Sequence, residues 1–247
     1  MDFSHYVDQI EELYLSGLSA EARRGHSSVP SLPESMGAVP ARILIIAPHP
    51  DDECLMSGLA LRAKDEFGAE VGVLPFGFGS DPARREERKK EWKSSIQVLG
   101  FKEVLILGES IETTILHFNP DAILIPNLND AHPTHIQCSR EAWAAAKAVV
   151  SKIKTPLLVL ESEFWGQVEN PNLLIPLPSA TVKKMGLALL CHQGEIARNP
   201  YHLSLPAFLM DQQRRGSELV SGFGAKPPPS VFAQVYRATV LSPEAGS

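Results

Sequence analysis

Short, continuous apolar runs alternate along this chain with stretches whose apolar residues recur every three or four positions. The runs are Ile43–Ala47, Glu70–Pro75, Val104–Leu107, Ala122–Pro126 and Leu157–Leu160. Runs of this length, rich in Val, Ile and Leu and bounded by Pro or Gly, predict strands buried on both faces of a parallel sheet. Between them the periodicity predicts helices from Asp52 to about Phe67, over 83–99, around Ile111, Ile115, Leu116 and Phe118, and over 133–151. The alternation implies one α/β domain: an open, mostly parallel, Rossmann-like sheet with helices on both faces.

Residues 3–24 predict a further, amphipathic helix with Tyr6, Ile10, Leu13, Tyr14 and Leu18 on its apolar face. A Ser, Pro and Gly-rich linker, 25–40, follows it. Residues 1–40 thus form a helix and linker packed on a main domain spanning 41–247. That helix docks on its own domain or on a neighbouring subunit of a homo-oligomer.

Composition narrows the function. The net charge of −6 argues against a nucleic-acid partner, which needs a basic patch. No apolar stretch reaches membrane-spanning length, and the N-terminus lacks the charge and apolar pattern of a signal peptide. The 3 cysteines are widely spaced and form no CxxC pair, so a reducing cytoplasm is the simpler expectation.

Two segments carry candidate chemistry, and both follow predicted strands: Pro48-His49-Pro50-Asp51-Asp52-Glu53 and Asn127–His135. In open parallel sheets, ligands bind beyond the carboxyl ends of the strands, so both segments fall on one rim. His49 and Asp52 straddle a strand end and a helix start and can point into one pocket. His135 can supply a third ligand, leaving a metal position open for water. Asp51 can take a proton from that water. His132, as an imidazolium, can stabilise an oxyanion or protonate a leaving amine. Each element has a plainer explanation: Asp51 and Asp52 suit a helix N-cap and first turn, and histidines occur in loops. It is their combination after two strands that favours a metal site.

The strand followed by His49-Pro50-Asp51-Asp52-Glu53 resembles the first signature of the PIG-L/LmbE family of zinc-dependent N-deacetylases. His132-Pro133-Thr134-His135 resembles the second, and Arg88–Glu91 with Leu99-Gly100 the helix between them. The resemblance covers roughly residues 41–200 and makes 41–247 a deacetylase domain. It implies a small-molecule N-acetylated amino-sugar substrate and Zn2+, or Fe2+, held by His49, Asp52 and His135. It further implies catalytic Asp51 and His132, and substrate contacts by Arg88 and His192. Arg88 would otherwise be a solvated charge. Two positions depart from the pattern. Thr134 stands where an Asp orients a histidine, and Asp130 stands where some relatives have a tyrosine. Asp130 is the nearby acid able to compensate.

Residues 191–223 read as a polar loop block whose Arg198, Arg214 and Arg215 suit a substrate phosphate or carboxylate. Glu53 reads as a first-turn helix acid. Two other functions fit parts of the pattern. One is a non-catalytic sugar-binding or regulatory module. The other is a non-haem iron oxygenase, against which the parallel α/β pattern and the H-x-x-D spacing both argue.

Overall fold

A computed structural model describes residues 2–25, 29–104 and 110–243. Among these, seven strands form one sheet: β1 (Arg42–Ala47), β2 (Glu70–Pro75), β3 (Lys102–Glu103), β4 (Ala122–Pro126), β5 (Leu157–Ser162), β6 (Leu173–Leu177) and β7 (Phe232–Leu241). The helices are α1 (Phe3–Ser16), α2 (Ala20–Gly25), α3 (Leu32–Met36), α4 (Asp52–Met56), α5 (Gly58–Phe67), α6 (Arg85–Leu99), α7 (Ile111–Phe118), α8 (Pro133–Ile153), α9 (Ser179–Leu189), α10 (Gln193–Arg198) and α11 (Tyr201–Ser221).

The apolar runs are buried on both faces, as a parallel sheet requires. Ile43, Ile45 and Ala47 of β1 enter the larger core, roofed by α1, α4–α6, α9 and α11. Leu44 and Ile46 enter the smaller core under α7 and α8. Strand order is β3-β2-β1-β4-β5-β7-β6, parallel except for β7, which runs antiparallel to both its neighbours. From β1 the chain builds outward to β3, then returns to start the other half at β4. The carboxyl ends of β1 and β4 therefore flank the point where strand order reverses, the place where such sheets hold ligands.

Several boundaries differ from the sequence expectations. The helix expected over 3–24 stops at Ser16. Gly17 has low helix propensity, and the Ser19 hydroxyl caps α2 by accepting the Ala22 N–H at 3.2 Å. The inward face of α1 centres on Phe3 and Val7, while Leu13 is 77% exposed. Phe3 reaches α9 at Gly186, where a Cβ would lie 1.9 Å from its ring. The linker contains α3, started by a reciprocal Ser31–Glu34 capping box. The helix expected from Asp52 to Phe67 breaks at Ser57, because the Leu55 carbonyl accepts the Gln234 side-chain amide at 2.6 Å. Of the third predicted strand, 105–107 lie outside the described residues; pairing is seen at Lys102–Glu103. The block 191–223 is not a loop. It is the two helices α10 and α11 with a short tail.

Candidate active site

The two sequence motifs meet at the strand-order reversal. β1 delivers His49 at its end, and Asp52 opens α4 three residues later. β4 delivers the loop to α8, whose N-terminus is fixed by Pro133 at its start and by the His132 ring, whose Nδ1 accepts the Thr134 N–H at 3.2 Å. His135 lies in the first turn and is buried.

The three expected ligands converge. Asp52 Oδ2 is 3.2 Å from His49 Nδ1 and 3.2 Å from His135 Nε2, and the two nitrogens are 3.3 Å apart. Ligands about 2.0–2.1 Å from one tetrahedral ion stand about 3.3–3.4 Å from one another. The triangle therefore fits a zinc-like ion without rearrangement, and its donor set of two imidazoles and a carboxylate suits zinc or ferrous iron. His132 also brings a ring nitrogen into this cluster.

Each charge in the triangle is set by its neighbours. Burial raises the proton affinity of Asp52, but hydrogen bonds to His135 and His49 outweigh it and hold the carboxyl well below its usual range. His135 lies between Asp52 and Asp130, whose Oδ1 is 3.4 Å from His135 Nδ1. Burial would lower its pKa, yet the two carboxylates push it up to about 9. A carboxylate behind a metal-binding histidine fixes the ring and strengthens it as a ligand. Asp130 thus supplies an acid near the position where Thr134 lacks one, but it serves His135 rather than the His132 ring. Its other oxygen accepts the N–H groups of Trp165 and Gly166 at 3.1 and 3.4 Å.

Asp51 sits at the floor of the cleft with φ 112°, a backbone state that a residue with a side chain rarely adopts. Its N–H is held by Glu53 Oε2 at 2.9 Å and its C=O by the Cys54 N–H at 3.0 Å. Burial, then the charges of Asp52 and Glu53, raise its pKa well above the ordinary carboxylate range; Arg88 offsets them in part. Burial, then the charges of His49 and His135, lower the pKa of His132. With Nδ1 accepting from the backbone, a proton on the ring belongs on Nε2.

The cleft encloses about 510 Å³ and is lined by residues including Asp51, Arg88, His132, Thr134, Trp165, Arg198 and Tyr201. Arg88 and Arg198 therefore reach it. Both guanidinium groups pair with the buried Glu195, as does that of Arg84. Gly79 leaves room for Arg88: a Cβ there would lie 2.3 Å from its Nη1. His192 does not reach the cleft. It is completely buried, with Nε2 2.8 Å from Glu53 Oε1. Arg214 and Arg215 also lie off the cleft wall, paired with Asp211 and, for Arg215, with Glu163.

Sequence reasoning missed Glu53 and Glu195. Glu53 is the expected first-turn acid of α4, but it is also fully buried and joins His192, the Ser95 hydroxyl and the Asp51 backbone. The signal available was its place inside an otherwise functional motif. Nothing in the sequence marks Trp165 or Tyr201 as cleft residues.

No protein-family model matches the sequence. Over 84 residues the chain is 32% identical to a 1D-myo-inositol 2-acetamido-2-deoxy-alpha-D-glucopyranoside deacetylase of Corynebacterium urealyticum; the match covers 34% of this chain and 25% of that protein. The chain thus spans about a quarter of the length of this curated relative. Among solved structures, N,N'-diacetylchitobiose deacetylase of Pyrococcus horikoshii is similar with TM-score 0.59 at 15% identity, covering 93% of this chain and 92% of that one. The zinc-inhibited form of teicoplanin deacetylase Orf2 gives 0.58 at 15%, over 83% and 100%. The 4-carboxy-2-hydroxymuconate hydratase GalB of Pseudomonas putida gives 0.60 at 14%, over 83% and 98%. The chain has the α/β fold of LmbE/PIG-L-type deacetylases, as the resemblance of its two motifs implies. A hydratase uses that fold too.

Proposed function

We propose that the protein is a metal-dependent hydrolase that removes the acetyl group from an N-acetylated amino sugar or a conjugate of one. The observation that carries this reading is the triangle of Asp52, His49 and His135 donor atoms, with Asp51 beside it on the wall of an open cleft. The similarity to the inositol-linked acetamido-sugar deacetylase and to chitobiose deacetylase supports the substrate class.

His49, Asp52 and His135 are the residues that would hold Zn2+, with Fe2+ accepted by the same set. Once bound, the ion supplies Lewis acidity to the amide carbonyl and lowers the pKa of a water molecule. Asp51 takes the proton of that water as its oxygen attacks the carbonyl carbon. The N–H on His132 Nε2 donates to the oxyanion. As the C–N bond breaks, the proton held by Asp51 passes to the leaving amine, so acetate and a free amine result. Asp130 keeps the His135 ring in place throughout. Arg88 and Arg198 hold hydroxyl or anionic groups of the sugar.

GalB favours a second reading, in which the same centre adds water to a carbon–carbon double bond. One screen separates the two. The zinc-loaded protein is offered N-acetylated amino sugars, free and phosphorylated, with amine release as readout, and unsaturated hydroxy-carboxylates, with loss of ultraviolet absorbance as readout. Amine release is the expected result. Hydration alone overturns the deacetylase reading. Zinc and sugar binding with neither reaction leaves a non-catalytic module, and metal-dependent oxygen consumption would indicate an oxygenase. Among the described residues no helix is long and apolar enough to cross a membrane. With the cysteines unpaired, a cytoplasmic enzyme is the compartment we propose.

A further inference from the structure

A second chamber, of about 310 Å³, adjoins the cleft and differs from it in chemistry. Leu55, Trp165 and Tyr201 line both spaces. Beyond them the chamber is walled by Phe164, Leu205, Ala207 and Phe208, and Ser204 is the lone aliphatic hydroxyl on its wall. We propose that this chamber takes an apolar alkyl or aryl group attached to the amino sugar, so that the substrate is a hydrophobic conjugate rather than a free sugar. This rests on the deacetylase reading and names the substrate class of that same site.

Four observations carry the proposal. The chamber borders the cleft, with Leu55, Trp165 and Tyr201 standing on both walls, so a group that passes these side chains leads from one space into the other. It lies against the reacting centre: the Phe164 ring meets the His135 ring edge-on at 4.9 Å, and Leu55 follows Asp52 by three positions on α4. Trp165, at the junction, leaves 57% of its surface in water while its ring meets Tyr201 at 5.8 Å. An exposed aromatic at the rim of an apolar hollow marks a surface that a ligand covers. Its backbone is fixed by Asp130, the carboxylate that also faces His135, so the rim keeps its register with the centre.

The polarity of the two spaces assigns the parts of the substrate. The cleft carries Arg88, Arg198 and Glu195, which suit the hydroxyls of a sugar. The chamber offers almost nothing that hydrogen-bonds. It opens at Ser204 and Ala207, which are exposed on α11. That opening suits a group leading away from the sugar. An acetyl group ends in a single methyl and needs no such space.

The test uses zinc-loaded protein and a series of alkyl glycosides of N-acetylglucosamine, from methyl to octyl. KM should fall about fourfold for each methylene that becomes buried, at similar kcat, until the chamber is full. Ala207→Trp places a ring in the opening from an exposed helix position, and the dependence on chain length should flatten; an unchanged melting temperature shows that the fold survives. A flat series in the wild-type protein, with acetyl release intact, overturns the proposal. So does a gain that follows the length of the N-acyl group instead. Octyl glucoside, which has no acetamide, separates this proposal from the deacetylase reading. Its binding, read by titration calorimetry and weakened in Ala207→Trp, supports the chamber even if no amine is ever released, whereas absence of binding overturns the chamber alone.

Discussion

Two imidazole–carboxylate clusters lie back to back at the start of α4. In one, Asp52 meets His49 and His135; in the other, its sequence neighbour Glu53 meets His192, with Cys54 alongside. Both contain residue types that bind metals. The first faces a cleft, and its three donor atoms stand apart by the distance that a shared ion imposes. The second faces the core, and its acceptor is already filled: Glu53 takes the Asp51 N–H on one oxygen and Ser95 and His192 on the other. Ligand chemistry alone does not make a metal site. An open side and donor atoms at the spacing of a shared ion do, and the closed cluster instead braces the Asp51 backbone of the open one.

The sharpest way to break this comparison is His135→Ala. It should remove bound metal and all measurable amine release, read by elemental analysis and assay of the same sample; retained stoichiometric metal would mean that the triangle is not the site. Asp51→Asn should keep the metal while kcat falls about 10²–10⁴-fold, the range for loss of a general base. Near-normal turnover would remove Asp51 from its role. Asp130→Asn should weaken metal affinity about 10–100-fold, as loss of a supporting carboxylate does, measured by competition with a chelator. His192→Gln should leave metal content unchanged and reduce stability by about 1–3 kcal/mol, the cost of a buried acceptor losing its partner, read by urea denaturation. If metal content falls with His192 instead, the two clusters are not distinct in function.

The central strands were readable because each is a continuous apolar run with both faces buried, as in β1 and β4. The convergence of His49, Asp52 and His135 was readable because the rim of a parallel sheet collects the ends of its strands. The last third of the chain was not. Pro176 lies within β6 and disguises it, a residue tolerated there because β6 is an edge strand. Pro206 lies inside α11 and breaks its helical pattern in the same way. Histidine and glutamate look alike in sequence whether they line a cleft or brace a loop, so His192 was expected at the substrate and the bracing contacts of Glu53 were not foreseen. Only three-dimensional burial shows that the two pair in the core.

β7 has a consequence for how the molecule is made. It is the last strand of the sheet to leave the ribosome, yet it lies between β5 and β6 and is the strand through which β6 joins the rest. The segment from Phe164 to Asn172, which carries Phe164 and Trp165, is tethered at one end by β5 and at the other by β6. A nascent chain that has not yet produced β7 can already assemble β1 and β4, and with them the metal triangle. It cannot yet join β6 to the sheet, and so cannot fix the far end of the segment that carries Trp165. Because β7 is made last, the capacity to hold an ion should appear before the capacity to select a substrate.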